Sequence, residues 1–392
     1  GETAMASVRI SQAFLLDFLD LYRVTIRGYN EEKLKRGRIM EWKTIEQTVW
    51  ERLAAETRPI VLYGMGDGAD KILRQFARFG ISASGVFASD EFVRGHSFAG
   101  FLVRTLAQTV ETFGEDLVIV LSFASQRPEV LEKIYQLDAQ FDLVAPDVPV
   151  AGDGLFDRAF ADAHAAELDA VAGLLADVRS RQVLDAMICF KLTGKIQYLR
   201  DGENDKVEAF TNILKPCKEE CFVDLGAYNG DTIWELLSYT EGRFASITAL
   251  EPDRRNYRKL KAFTDDLAGP IHLEQAGAWE KDCVLTFAAK AGRNSRLSNK
   301  GVETTMRAVD SVLQGAPCTL LKMDVEGAER EALAGAAQTI ARWKPRLNIA
   351  CYHRNEDLFA LPLQVHALCP DYALYLRHHP YIPAWDVNLY AR

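Results

Sequence analysis

Short apolar runs that end in glycine or proline alternate with stretches whose apolar residues recur every three or four positions. In "SQAFLLDFLDLY", Ser11 to Tyr22, that spacing sets Phe14, Leu15, Phe18 and Leu19 on one side of a helix. A second helix is expected over Thr44 to Glu56. "RPIVLYGMGDGADKILRQFARFGI" then reads as strand, glycine turn and helix. "SASGVFASD" reads as a second strand ending at Asp90, Leu117 to Phe123 as a third, and "PEVLEKIYQL" as a helix. Strands alternating with helices predict a parallel sheet with helices on its faces. From Asp153 to about Arg200 the pattern turns helical and alanine-rich. Alternation resumes with strands at "CFVDLG", "SITALEPD", "IHLEQAGAW", "TLLKMDVEG" and "RLNIACYH", and "YALYLRHH" and "DVNLYA" close the chain. A segment of hairpin character, "CVLTFAAKAGRNSRLSNKGVETTMRAV", interrupts the series. The expected division is a helical segment over 1–57, a small Rossmann-like α/β domain over 58–150, a helical connector over 151–215 and a second α/β domain over 216–392. The Pro and Gly content of "APDVPVAGDG" supports the break near Val150 to Gly154.

Length agrees with more than one unit, because a single core rarely grows past about 250–300 residues and this chain has 392. The net charge of −9 argues against a nucleic-acid footprint, which needs a basic face. The basic run Lys33 to Arg38 reads as a solvated face. No apolar run reaches the roughly 18–20 residues of a membrane span, and the start carries no secretion-signal pattern. The seven cysteines are scattered and form no CxxC pair, so free thiols in a reducing, cytoplasmic setting are expected.

The chemistry concentrates in "VDLGAYNGDT". Asp224 ends a strand, Gly226 and Gly230 open a turn, and a helix N-terminus follows with free N–H groups. The turn lacks the G-x-G-x-x-G of a dinucleotide fingerprint. An acid before the first glycine suits a cationic ligand, and Glu251, ending the next strand, stands where a ribose hydroxyl is commonly bonded. Together they point to S-adenosylmethionine, although Asp224 as a cap and the glycines as packing devices would explain the turn without a ligand. A second turn, "YGMGDGA", places Gly64, Gly66 and Gly68 before Asp90, an arrangement for a nucleotide or nucleotide-linked sugar, or for a fold kept only for packing.

"FVDLGAYNGDT", "ALEPD", "LKMDVEGAE" and "CYHRNEDLFALPLQ…DYALYLRHH" resemble the FkbM-type methyltransferases over about Asp185 to Arg392. The resemblance implies a class I methyltransferase fold with a seven-stranded, mostly parallel sheet. It also implies S-adenosylmethionine-dependent methylation of a hydroxyl on a small molecule or sugar. By position it assigns cofactor contacts to Asp224, Gly226, Ala227, Tyr228, Gly230, Glu251, Pro252 and Asp253, and to Ala278 and Trp279 near the adenine. Trp279 departs from the smaller residue that often stands there.

Ligands of open α/β sheets sit beyond the carboxyl ends of the strands. Lys322, Asp324, Glu326, His353, Arg354, Arg377, His378 and His379 are therefore expected on one rim. His353 is the expected base because its ordinary pKa lies near neutrality, with Asp324 as rival. Lys322, Glu326, Arg354, His378 and His379 are candidates for substrate contacts. No metal is expected, since no ligand spacing marks one, although Asp324, Glu326 and His353 with a further histidine could be drawn together. Rival readings are a nicotinamide-dependent oxidoreductase working through the first domain and a non-catalytic binding or assembly module. The acceptor and the oligomeric state, a homo-oligomer included, are not legible.

Overall fold

The computed structural model describes residues 40–288 and 301–392. The helix expected over Ser11 to Tyr22 and the basic run at Lys33 to Arg38 lie outside them. In place of one helix over Thr44 to Glu56 there are a 3-10 turn, Glu41–Thr44, and a helix, Val49–Ala54. Thr48 starts the latter through a reciprocal capping box with Glu51, which satisfies two otherwise unpaired N–H groups.

The first sheet holds β1 (Ile60–Tyr63), β2 (Gly85–Phe87), β3 (Ser97–Phe98), β4 (Phe101–Arg104), β5 (Val118–Leu121) and β6 (Asp142–Val144). Its order is β3-β4-β2-β1-β5-β6, and only the β3–β4 pair is antiparallel. β1 and β5 are buried along their whole length, as continuous β-branched and aliphatic runs between two helical layers should be. Three of these strands were not expected. β3, β4 and β6 are two to four residues long, too short to show a period.

The connector is helical, as expected: Arg158–Ala163, Ala165–Leu174, Val178–Thr193, Ile196–Asp201 and Lys206–Glu208, then a π-helical turn, Ala209–Leu214. The helix Val178–Thr193 is buried over ten of its residues, which explains its lack of a polar face.

The second sheet holds β7 (Cys221–Leu225), β8 (Ser246–Leu250) and β9 (Ile271–Glu274). After β10 (Gly277–Ala278), β11 (Cys283–Ala288) and β12 (Gly301–Arg307), which pair among themselves, it continues with β13 (Leu320–Met323), β14 (Arg346–Ala350), β15 (Leu374–His378) and β16 (Val387–Ala391). The order is β15-β16-β14-β13-β7-β8-β9, with β16 the one antiparallel strand. This is the class I methyltransferase arrangement. The strand expected as "IHLEQAGAW" is split. β9 pairs with β8, whereas β10 leaves the sheet to pair with β12, where Gly277 admits the Met306 side chain. β11 and β12 form the expected hairpin.

One hydrophobic cluster runs from Tyr63 and Ile119 of the first sheet through Leu184 and Phe190 of the connector to Leu225 and Met323 of the second. Lys191 and Asp147 form a nearly inaccessible ion pair at 2.9 Å across the same junction. No helix among the described residues is long and apolar enough to cross a membrane.

Candidate active site

β7 and β13 are neighbours in the parallel sheet, so the turns that follow them meet at one edge. The Gly226–Gly230 turn is held by its backbone: the N–H groups of Gly226 and Ala227 both donate to the Leu250 carbonyl at 3.0 Å. Gly226, Tyr228 and Gly230 all have positive φ. A Cβ at Gly226 would stand 1.8 Å from the Asp324 carbonyl oxygen, and one at Gly230 would stand 2.5 Å from the Phe263 ring. The glycines thus seat the turn against β13 and the helix Arg254–Thr264. Ala227 is buried and Tyr228 is 47% exposed, facing outward.

Glu251, at the end of β8, closes the turn from the side. Its Oε2 accepts from the Tyr228 N–H at 2.8 Å and its Oε1 from the Asp253 N–H at 2.9 Å. Burial pushes its pKa up against these two donors. Asp253 caps the helix Arg254–Thr264, accepting from the N–H groups of Arg255 and Asn256, and Pro252 lies between them on the surface. Beyond β9, Ala278 is buried, and Trp279 is half-buried with its N–H on the Arg307 carbonyl.

Asp224 is placed differently from expectation. Alternation along β7 turns it to the same face as Phe222, beneath the turn, where it has no exposure. Lys322, its register partner on β13, brings Nζ to 3.1 Å from Oδ1 and donates to the Gly226 carbonyl. Lys322 is therefore an internal counter-ion and is withdrawn from the substrate contacts. Lys322 answers Asp224 Oδ1, whereas the buried Oδ2 of Asp224 and the buried Oδ1 of Asn229 in the turn itself receive no hydrogen bond from the described residues. These orphaned acceptors, with the Glu251 carboxylate alongside, fit a cofactor that carries an ammonium group and ribose hydroxyls.

The reacting end gathers at the tips of β13 and β14. His353 is buried. Its Nδ1 lies 3.0 Å from Glu329 Oε1, and its Nε2 lies 3.3 Å from Asp324 Oδ1 and 3.7 Å from Glu326 Oε2. The Asp324 side chain is 38% exposed, and its Oδ2 accepts from the Tyr352 hydroxyl at 3.4 Å. Burial alone would push the imidazole toward neutrality, but Glu329, aided by Asp324 and Glu326, outweighs it and raises the ring to about 10. The ring is walled in with a carboxylate on each nitrogen, and their charge favours its protonated form, which sets the structure against the expectation of His353 as base. Glu326 has left-handed backbone, which turns its half-exposed side chain to the same cluster.

Glu329 was not foreseen. Three residues past Glu326, it reads as an acid at a helix start, and it does open the helix Glu329–Ala334. Its inward turn depends on the Val325 N–H that bonds Oε1 at 2.9 Å and on the distant His353. The rings of Tyr352, Trp385 and Tyr381 continue the wall, with centroids 6.5 Å and 5.5 Å apart in succession.

The expected basic rim does not form. Arg354 donates to the Gly327 carbonyl at 2.6 Å. Arg377 is buried against Asp177, Glu208 and Ser180 of the connector. His378 is fully enclosed, and burial pushes its pKa down to about 4. His379 is clamped between the Asn204 carbonyl and the Tyr390 hydroxyl. Both histidines pack on the connector and are withdrawn from the substrate contacts.

In the first sheet, a Cβ at Gly64 would meet Phe123 at 2.6 Å and one at Gly68 the Ser122 carbonyl at 2.3 Å, whereas Gly66 faces open space. Asp90 lines a cavity of about 340 Å³ with Tyr63, Ser89, Lys133 and Gln136.

Residues 224–382 match the family model described as methyltransferase FkbM domain. The structure is similar over 96% of its length to the whole of a methyltransferase FkbM from Methylobacillus flagellatus KT, with a TM-score of 0.64 and 22% identity, a likeness of fold. Lesser similarities reach a fibrillarin from Aeropyrum pernix in complex with S-adenosyl-L-methionine (TM-score 0.32, 10% identity, 47% of this chain and 71% of that one). They also reach an rRNA methylase from Streptococcus thermophilus (TM-score 0.31, 16% identity, 45% and 87%). No curated protein matches the chain. Residues 224–382, which carry this turn, its flanking acids and its strand-end cluster, are thus similar to the methyltransferase FkbM domain, within a chain that shares the fold of such a protein.

Proposed function

We propose that the chain methylates a hydroxyl of a small polyhydroxylated molecule, of the sugar or nucleotide-linked sugar class. The observation that carries this reading is the Asp324 carboxylate. It is open to solvent on one side and fixed between Tyr352 and His353, beside the turn that follows β7. When bound, S-adenosylmethionine would supply an electrophilic methyl group on a cationic sulfur, and that sulfur would leave as the neutral thioether of S-adenosylhomocysteine once the sulfur–methyl bond breaks. The Gly226–Gly230 turn with Ala227 and Tyr228, the acids Asp224 and Glu251, and the Pro252, Asp253, Ala278 and Trp279 positions are the proposed holders. Asp324 accepts the acceptor's hydroxyl proton as the oxygen takes up the methyl group, and releases it to water afterwards. His353 orients Asp324 and has no part in the proton transfer. Fixing two reactants in line is worth up to roughly 7–11 kcal/mol, and proton removal adds about 10²–10⁴-fold. Asp324 and Glu326 are the proposed acceptors of the sugar's hydroxyl hydrogens, beside the aromatic cluster of Tyr352, Trp385 and Tyr381, the apolar and polar mixture of small-molecule sites.

The test incubates the full chain with methyl-labelled S-adenosylmethionine and a panel of sugars, nucleotide-linked sugars and amine analogues. Label on a sugar oxygen is the expected result, and label only on nitrogen or carbon overturns the reading. The cavity at Asp90 favours a second ligand on the first sheet, of the nucleotide class, with Gly64, Gly66 and Gly68 shaping the neighbouring turn. Calorimetry with a nucleotide-linked sugar and with NAD checks it: saturable binding that Asp90→Ala weakens supports it, and no heat with either sinks it.

A further inference from the structure

The cluster at the ends of β13 and β14 has more negative charge than its one imidazole can answer. Asp324 and Glu329 face the two nitrogens of His353 at 3.3 and 3.0 Å, so this trio carries a net negative charge even with the ring protonated. One ligand atom each from Asp324, Glu329 and His353 lie within 4.8 Å of one another. Donors bound to one ion at about 2.1 Å stand roughly 3–4.2 Å apart, and His353 Nε2 and Asp324 Oδ1 are already at 3.3 Å. A second observation points the same way. Glu329 is 1% exposed, and its Oε1 is engaged by the Val325 N–H and the imidazole, but its Oε2 has no hydrogen-bond partner among the described residues. A buried carboxylate oxygen left unpaired is costly unless a cation or donor completes it.

We propose that Asp324, Glu329 and His353 form a binding site for one divalent metal ion. Its binding displaces the proton that the imidazole otherwise holds. Two oxygens and one imidazole nitrogen suit Mn²⁺ or Zn²⁺ better than an ion that takes oxygen donors alone. Three protein ligands leave coordination positions open, and Asp324, the exposed member, puts them on the side where the acceptor is placed. An acceptor with two adjacent oxygens would fill them. That last step rests on the hydroxyl-methylation reading; the ion site itself does not.

The test is titration of the metal-free full chain with Mn²⁺ alone, followed by calorimetry and by loss of the free-ion electron paramagnetic resonance signal. The expected result is one ion per chain, saturating below about 1 mM, with affinity lowered at least about tenfold in both Glu329→Gln and Asp324→Asn. His272→Ala, at an exposed pair with Glu274 on β9, should leave it unchanged. If Glu329→Gln does not fold, Asp324→Asn at the more exposed position carries the comparison. No saturation at several millimolar, or equal affinity in Asp324→Asn and wild type, overturns the site and leaves the cluster an internal ion pair. S-adenosylmethionine binding, measured on the same samples without metal, separates the outcomes. Cofactor binding without Mn²⁺ binding removes the ion site alone, and Mn²⁺ binding without cofactor binding removes the methyl-transfer reading alone.

Discussion

Asp324 and His353 sit 3.3 Å apart, yet their accessibility assigns them different work. The imidazole has carboxylates on both nitrogens and almost no exposure, while the aspartate is open on one side. Asp324→Asn keeps the shape and removes the basic oxygen. Turnover should fall about 10²–10⁴-fold with cofactor affinity unchanged, read by single-turnover kinetics beside calorimetry. Unchanged turnover would remove Asp324 as the proton acceptor. The acid–glycine pattern around Asp224, Glu251 and Asp324 was visible in the sequence because each ends an apolar run before a turn. The partner of each was not. Lys322 reads as a rim cation, but strand register puts it beside Asp224 in the interior.

At the scale of elements, the Gly226 turn fits only because β7 and β13 run side by side. Gly226→Ala would place a methyl group 1.8 Å from the Asp324 carbonyl at a φ of 74°. A cost of at least about 1–3 kcal/mol is expected from the backbone alone. It should appear as a lowered melting temperature and a loss of cofactor binding together, and a variant with wild-type melting would contradict this packing. β15 is tied to the connector through Arg377 and Asp177, 2.7 Å apart. Burial works against the Asp177 charge, but the bonds from Arg377 and Ser180 outweigh it and hold the carboxyl down to about 2, below its ordinary 3.8. With the folded-state pKa depressed, the contribution is complete above about pH 4 and is lost as pH falls toward 2. Asp177→Asn should therefore lower stability at pH 6 and converge on wild type near pH 2, as followed by denaturant unfolding across that range. A pH-independent difference would mean that packing, not charge, holds the strand.

For the whole molecule, the continuous core and the buried Lys191–Asp147 pair join the two sheets through the connector. Lys191→Met strands a buried carboxylate and should cost about 3–5 kcal/mol, while the double change Lys191→Met with Asp147→Leu should recover much of it. Both sheets should unfold in one transition. Separate transitions, resolved by calorimetry and circular dichroism, would show that the junction is not part of a common core.

The alternation of strands and helices, the two glycine turns, the helical connector and the acids that end β7, β8 and β13 follow from local spacing, because period two, period three to four and positive φ are properties of neighbouring residues. Short strands such as β3 and β6 carry too few residues to show a period. The meeting of Asp324 and Glu329 with His353, the burial of Lys322 and the enclosure of His378 and His379 belong to sheet order and to the packing of the connector. Those contacts join residues far apart in the chain, and no local pattern records which way a side chain turns once a distant element covers it.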